Sequence, residues 1–506
     1  MRALGYSVLS AGALLGTLLF GSGCYSLSGD CDLNYNCGGS GGGDTTGGTG
    51  GTGGAPPGCV PSNSSSPVDD SCGVFVSSTK GEDTNMGTKA KPFATLAMAF
   101  NMAPGKPVYL CGEELLESVE IGENVQIYGG LDCGGDWKYD ASTPTVISAS
   151  NDMVPLRVGS KQSASIFDVT FRAEDALIDG GSSIAVIAEA EATLSLTRCR
   201  IEAGNGANGK DGDDFVEPAA PGEAGLDGLV ACTANQVITP DPPVTSCGDV
   251  ESVGGLGGIG TQAQGGAGAP GLPEGTMNGG AGEGASVCTD GLAGNAGTVG
   301  MPGAGGMGLG ALQAGLGFVP STGADGQPGT PAQGGGGGGG AKGGTGGGKC
   351  PAGATGGASG GTGGAGGCGG QGGKGGRGGG ASIGIISVGA TLKFTDVQIT
   401  TAAGGKGGNG GAGQLGGEGG AGGKGGSKAS FVNLNNGCAG GTGGKGGDGG
   451  RGGGGRGGHS IGIAHTGTAP DLTGATVTFG AAGNGGTGEG DPGLGAPGLA
   501  QQVQAF

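Results

Sequence analysis

Aromatic side chains are scarce in this 506-residue chain, which has one Trp, six Tyr and twelve Phe. That supply cannot fill the core of one ordinary domain of such length, so a single conventional globule is excluded. Histidine is almost absent: His459 and His465 are the only two. Six residues apart around one strand pattern, they could share a face, but without a third ligand they do not make a zinc site. Long apolar runs are missing too, apart from residues 9–20, which are too short to span a bilayer. No G-x-S-x-G elbow occurs, and GxGxxG matches arise from composition without a strand-to-helix context.

What the chain has instead is glycine, 141 residues of it. Glycine loses the most backbone freedom on folding and brings no side chain to bury, so such a chain needs a special packing mode or stays unfolded. Apolar β-branched residues concentrate in 73–203, with short returns at 381–403 and 459–482.

Charge is unevenly spread. The net value is −19, yet residues 341–460 carry eleven Lys or Arg against three Asp or Glu. Lys374, Arg377, Arg451 and Arg456 are spaced by glycine without interleaved aromatics. This favours a solvated, self-repelling face over a nucleic-acid-binding stripe.

Residues 1–23 read as an export signal, with Arg2 as its positive start. Gly21-Ser22-Gly23-Cys24 resembles the lipobox of bacterial lipoproteins, although Gly21 stands where Leu is usual. The resemblance implies acylation of Cys24, and hence an exported protein anchored through lipid to the cell envelope, in the outer membrane or at the surface. Fourteen cysteines in an exported chain point to disulfides. Close spacing makes Cys31 with Cys37, Cys111 with Cys133, Cys232 with Cys247, and Cys350 with Cys368 plausible partners, though spacing alone does not fix connectivity.

Residues 24–72 form a Gly/Ser/Thr-rich linker pattern. Helical periodicity is confined to 92–103, after which short strand patterns follow one another. One unit recurs: Ala164-x-Ile166-x-Asp168-Val169-x-Phe171 matches Leu194-x-Leu196-x-Arg198-Cys199-x-Ile201, Leu392-x-Phe394-x-Asp396-Val397-x-Ile399 and a degenerate Leu472-x-Gly474-Ala475-x-Val477. Such units cannot bury an apolar face alone and must stack.

The stretch FVSSTKGEDTNMGTKAKPFATLAMAFNMA, followed by PVYLCGEELLESVEIGENVQIYGGLD, resembles the opening of secreted pectin-lyase-like proteins. The expected fold is therefore all-β: a right-handed parallel β-helix with a short N-terminal capping helix. Glycine-rich insertions at 204–380 and 404–458, and a glycine-rich tail at 483–506, interrupt or follow it.

Within the insertions glycine keeps a three-residue register. Residues 360–380 are seven GGx triplets, and 404–427 are eight with one lapse. A threefold extended helix rises about 3.1 Å per residue, and with two bare edges such rods can pack by backbone hydrogen bonds. The alternative is disorder. The tracts also resemble the PGRS-type repeats of bacterial surface proteins, without the helical module that accompanies those.

Candidate chemistry is thin. Asp168 and Asp396 occupy one repeat position, but Arg198 replaces them in a third copy, as a turn residue would permit. Asp211, Asp213 and Asp214 are weak calcium candidates only, since their spacing misses the EF-hand and favours a solvated acidic loop. The composite expectation is a non-catalytic surface lipoprotein with a structural, adhesive or matrix-contact role, whose partners are a membrane and a polysaccharide or surface protein, and not nucleic acid. A polysaccharide lyase or glycoside hydrolase, and a calcium-stabilised structural protein, are the alternatives.

Overall fold

The computed structural model describes residues 59–313, 315 and 317–506. Three parallel sheets surround one apolar core. The first contains Val74–Val76, Val108–Cys111, Val125–Asp132, Ser163–Phe167, Thr193–Thr197 and Thr391–Thr395, with Lys138–Tyr139 added antiparallel. The second runs from Glu114–Leu116 through Thr145–Ala149, Val169–Ala173, Arg200–Ala203 and Val397–Thr401 to Ala475–Thr478. The third comprises Val119–Ile121, Leu156–Val158, Ser183–Ala188, Ser382–Val388, Ser460–Thr466 and Ala500–Ala505.

The repeat units align in space as they do in sequence. Ala164 pairs with Leu194 and Leu194 with Leu392, while Phe171, Ile201, Ile399 and Val477 form another row. Alternate residues such as Ile166, Leu196 and Phe171 point inward and are almost wholly buried. The helix Leu96–Met102 packs on this core through Leu96 and Ala99. Its start is capped by Thr95, whose hydroxyl accepts the Met98 N–H, and by Glu117, which accepts from Leu96 and Ala97.

The few aromatics are concentrated on the outside of the first sheet. Phe75, Tyr109, Tyr128 and Phe167 occupy one cross-strand row, with ring centroids 5.2, 5.3 and 4.8 Å apart. Trp137 packs edge-on against Phe75, and the Tyr109 hydroxyl donates to the Cys59 carbonyl. Residues 59–72 thus belong to the folded body, closed by Cys59–Cys72 with Val68 buried beside Trp137, although their composition reads as linker.

The expectation of a single right-handed β-helix is overturned. The strands lie in several separate, open sheets, including three two-stranded antiparallel ones: Gln236–Val237 with Gly260–Thr261, Val244–Cys247 with Val250–Val253, and Ala311–Gln313 with Gly317–Val319. Moreover, apart from these three short pairs, the glycine excursions build a second body from segments that belong to no strand. The physical reason is the triplet: threefold chains present hydrogen bonds in three directions, so they pair with one another and not within a pleated ladder.

That body is a lattice of rods. Segment 359–380 donates from Gly361, Gly364, Gly367 and every third residue on to Gly379, reaching Cys438, Gly441, Gly444 and so on to Arg456 at 2.8–3.0 Å. It accepts from Gly405, Gly408, Gly411 and their successors along a second rod, and from Gly323 through Gly338 along a third. A fourth rod receives Thr362, Ala365 and Cys368 N–H groups on the carbonyls of Leu226, Glu223 and Ala220.

Rod spacing leaves no room for a side chain. In the all-glycine run 334–340 a Cβ would meet, in turn, carbonyl oxygens of Val253, Gly441, Asn278, Leu256, Cys438, Ala281 and Ile259 at 1.9–2.2 Å. Along 439–457 the same rule is visible at an edge. Thr442, Lys445 and Arg451 point to solvent, but Gly454 and Gly457 stand where residues 483–486 lie against the rod, with Cβ-to-oxygen distances of 2.1 and 2.0 Å.

Disulfides pin this lattice. Cys111–Cys133 joins the pair suggested by spacing. The other pairings are corrected: Cys232 joins Cys350 and Cys247 joins Cys368, because neighbouring rods bring together residues 118 and 121 apart in sequence. Cys288–Cys438 is a further bond across a separation of 150. Cys24, Cys31 and Cys37 lie outside the described residues.

Two predictions follow from the rods. Gly337→Ala is expected to cost about 3 kcal/mol or more in urea denaturation, since backbone must move to admit the methyl group, whereas Thr442→Ala is expected to stay within about 0.5 kcal/mol. Equal effects would refute the close-packed lattice. In non-reducing peptide mapping, Cys232 should be recovered with Cys350 and Cys247 with Cys368; recovery of Cys232 with Cys247 would contradict the rod arrangement.

Candidate functional site

The side chains that gather most chemistry lie on the outer face of the second sheet. Three of its strands, Val169–Ala173, Arg200–Ala203 and Val397–Thr401, are entered by a tight turn whose key residue takes left-handed backbone: Asp168 at φ 58°, Arg198 at 53° and Asp396 at 54°. Asp tolerates this region because its short polar chain bonds locally, while Arg198 does so under strain. Stacked turns therefore place Asp168, Arg198 and Asp396 side by side. Beyond them, Thr170, Arg200 and Gln398 form one cross-strand row, and Arg172, Glu202 and Thr400 the next.

Together with Tyr139 these residues, Thr400 excepted, line a groove of about 470 Å³. Asp168 accepts from Arg198 Nε and Nη2, both at 2.7 Å, and from the Tyr139 hydroxyl at 2.8 Å. This bidentate fork is the strongest common geometry for a guanidinium and a carboxylate. Burial, and then the bond to Asp168, raise the Tyr139 hydroxyl above its usual range. The hydrogen bonds that Arg198 donates to Asp168 raise its guanidinium in turn. Arg172 Nε binds Glu202 at 3.0 Å, which likewise holds its charge.

Two of the three acids, Asp168 and Glu202, are thus committed to arginines. Asp396, Arg200 and Gln398 are exposed, with no hydrogen-bond partner among the described side chains. The arrangement is suited to holding a polar ligand by hydrogen bonds and charge, with a carboxylate and a guanidinium free at its rim. The sequence signalled the shared turn position of Asp168, Arg198 and Asp396. It did not signal that Asp168 and Arg198 would clasp each other, although alternation of Asp and Arg at one repeat position is the trace such a pair leaves.

The acidic stretch expected to bind calcium weakly does other work. Asp211 and Asp214 accept the backbone N–H groups of Asn409 and Ala412 at 2.6 and 2.7 Å, continuing a row begun by Asn205 on Ala403 and Asn208 on Lys406. Asp213 pairs with Lys210 instead. Every third side chain therefore satisfies an edge donor of the neighbouring rod, and the three carboxylates do not converge. Among the described residues no group of three or more His, Cys, Asp or Glu is placed to hold a metal.

Three of the four glycine-spaced cations are likewise engaged, and Arg377 is exposed. Lys374 pairs with Asp325, Arg451 donates to the Gly410 carbonyl, and Arg456 is buried. His459 and His465 are both buried, at opposite ends of Ser460–Thr466.

Replacing Asp168 with Ala should destabilise the protein by about 3 kcal/mol, by leaving Arg198 and Tyr139 unpartnered and a left-handed Ala in the turn. Asp396→Ala removes only the turn preference and should cost about 1 kcal/mol. Urea denaturation of both variants measures the difference, and equal costs would mean that the Asp168–Arg198 clasp contributes nothing. No family model, curated protein or solved structure matches this chain.

Proposed function

We propose that this chain is a non-catalytic structural protein of the cell envelope, exported and held by lipid at Cys24, that presents a rigid surface for contact with a polysaccharide or another surface protein. The observation that carries this reading is the filled rod lattice: nearly every glycine of the triplets faces neighbouring backbone at less than 3 Å from where its Cβ would be. Such a body has little internal freedom and displays one side chain per triplet at intervals of about 9 Å on its outer rows. Lys424, Ala421 and Glu418 are one such exposed row. The polar groove on the second sheet supplies a place for a hydroxyl-rich ligand.

A second reading, a polysaccharide lyase or glycoside hydrolase, is favoured by the same groove. Three acids, Asp168, Glu202 and Asp396, stand beside three arginines, Arg172, Arg198 and Arg200. Its weakness is that proton transfer needs an uncommitted group near the reacting atom, and two of the acids are locked in ion pairs.

Incubating the full chain with a panel of neutral and uronate polysaccharides separates the two. Binding without new reducing ends or unsaturated uronides is expected, weakened about tenfold or more by Arg200→Ala. Turnover abolished by Asp396→Ala would replace the structural reading with the enzymatic one. Metabolic labelling with palmitate should mark the wild type and not Cys24→Ser; label on both would remove the proposed anchor.

A further inference from the structure

The strands Ser183–Ala188, Ser382–Val388 and Ser460–Thr466 of the third sheet are buried on both faces, which explains why they read as nearly unbroken apolar runs. Its outer face carries Ile184, Ile187, Ile383, Ile386 and Ile461, and these are covered by Phe318 of the hairpin Ala311–Gln313/Gly317–Val319 and by Phe506. Gly317 lies so close that a Cβ there would sit 2.8 Å from Ile184 Cδ1. Among the described residues, the hairpin and its entry from Leu309 to Val319 make two hydrogen bonds to the rest of the molecule. The Gly315 carbonyl accepts from Arg157 Nη2 at 3.3 Å, and the Leu309 carbonyl meets His459 Nε2 at 2.7 Å.

His459 links three elements. It is 1% exposed, and its ring is packed edge-on against Phe318 and Phe506. Its Nδ1 accepts the backbone N–H of Leu499, which leads into the strand Ala500–Ala505, so Nε2 must carry the proton that it donates to Leu309. Both ring nitrogens are used, and only the neutral ring fits. Adjacent Arg456, 7% exposed, donates Nη1 to the Met307 carbonyl at 2.6 Å, while its Nε has no partner.

No carboxylate lies within ion-pair distance of Arg456 or His459 among the described residues. Residues 301–321 and 499–506 contain no charged side chain, nor do Ser183–Ala188 and Ser382–Val388. The remaining ionisable groups of the packed elements are the terminal carboxylate of Phe506, which forms no ion pair among the described residues, His465 at the far end of Ser460–Thr466, and the Arg157–Glu189 pair at the hairpin tip.

We propose that the segment from Met307 to Val319 is an acid-released strap over the outer face of the third sheet, with His459 as its trigger. A proton on Nδ1 removes the acceptor for Leu499 and sets two N–H groups against each other. It also places a second positive charge beside Arg456 in a buried site where no carboxylate lies within ion-pair distance and desolvation is costly. The strap and the last strand lose their common anchor together, and the five isoleucines are uncovered.

The sign follows from burial, which, with Arg456 beside it, holds the His459 pKa below the ordinary histidine value. The open state therefore takes up the proton first. Closure is fully stable above about pH 6.5 and weakens as pH falls below it.

Hydrogen exchange on the full chain at pH 7.5 and 5.0, corrected for intrinsic rates, tests this. Protection of 307–319 and 499–505 should drop tenfold or more at pH 5.0 with rod 359–380 unchanged, accompanied by binding of an apolar fluorescent dye. His459→Gln, which can donate and accept but does not titrate in this range, should keep its protection at both pH values. Arg456→Gln, which removes the neighbouring charge, should keep the strap closed to lower pH. Unchanged wild-type protection at pH 5.0 would overturn the proposal, as would an identical acid transition in His459→Gln. If that variant loses rod protection at pH 7.5, the Arg456→Gln shift decides, and no shift overturns the trigger.

Discussion

Contact between bare backbones is the constraint on which the rest of this protein depends. Where two rods run side by side, the carbonyl of one occupies the space a Cβ of the other would need, at about 2 Å. Glycine is therefore required by the neighbour and not by the rod's own conformation. Each N–H that points to a neighbour finds a carbonyl at 2.7–3.1 Å, so burying so much backbone leaves few polar groups unpaired. The cost of ordering glycine is offset by dense pairing in three directions, a route to stability that needs little aromatic or aliphatic material.

The sheets and the lattice support one another. Strands of the third sheet run directly out of rods: residue 380 passes through Ala381 into Ser382–Val388, and 458 through His459 into Ser460–Thr466. A parallel strand register thus sets the rod register, and Gly206 and Gly404 begin their ladders three residues beyond the strand ends Ala203 and Thr401. Away from the sheets, the disulfides Cys232–Cys350 and Cys288–Cys438 hold the far rod ends, and Cys247–Cys368 ties the rod 359–380 near its middle. Cross-links over separations of this length remove about 4–5 kcal/mol of unfolded-chain entropy each.

The groove and the strap draw on different consequences of stacking. Stacked turns bring identical repeat positions into contact, so a change from Asp to Arg between neighbouring copies creates an ion pair. Stacked runs such as SIAVI and SIGII create an apolar outer face, which then needs a cover. Neither feature belongs to any single repeat unit.

The sequence by itself determined the glycine triplets, the repeated strand unit, the sparse aromatic supply and the shared turn position of Asp168, Arg198 and Asp396. Those are local properties, fixed by composition and period. It also carries a trace of neighbour number: GxX in 289–304 marks an edge rod, GGx in 404–427 a rod with one open side, and the unbroken run 334–340 an enclosed one. Only the tertiary structure decided which rods are neighbours, since hydrogen bonds between glycines carry no side-chain identity. For that reason spacing misassigned Cys232 and Cys350, calcium seemed open to Asp211 and Asp214, and a single β-helix was expected where several open sheets adjoin a lattice of rods.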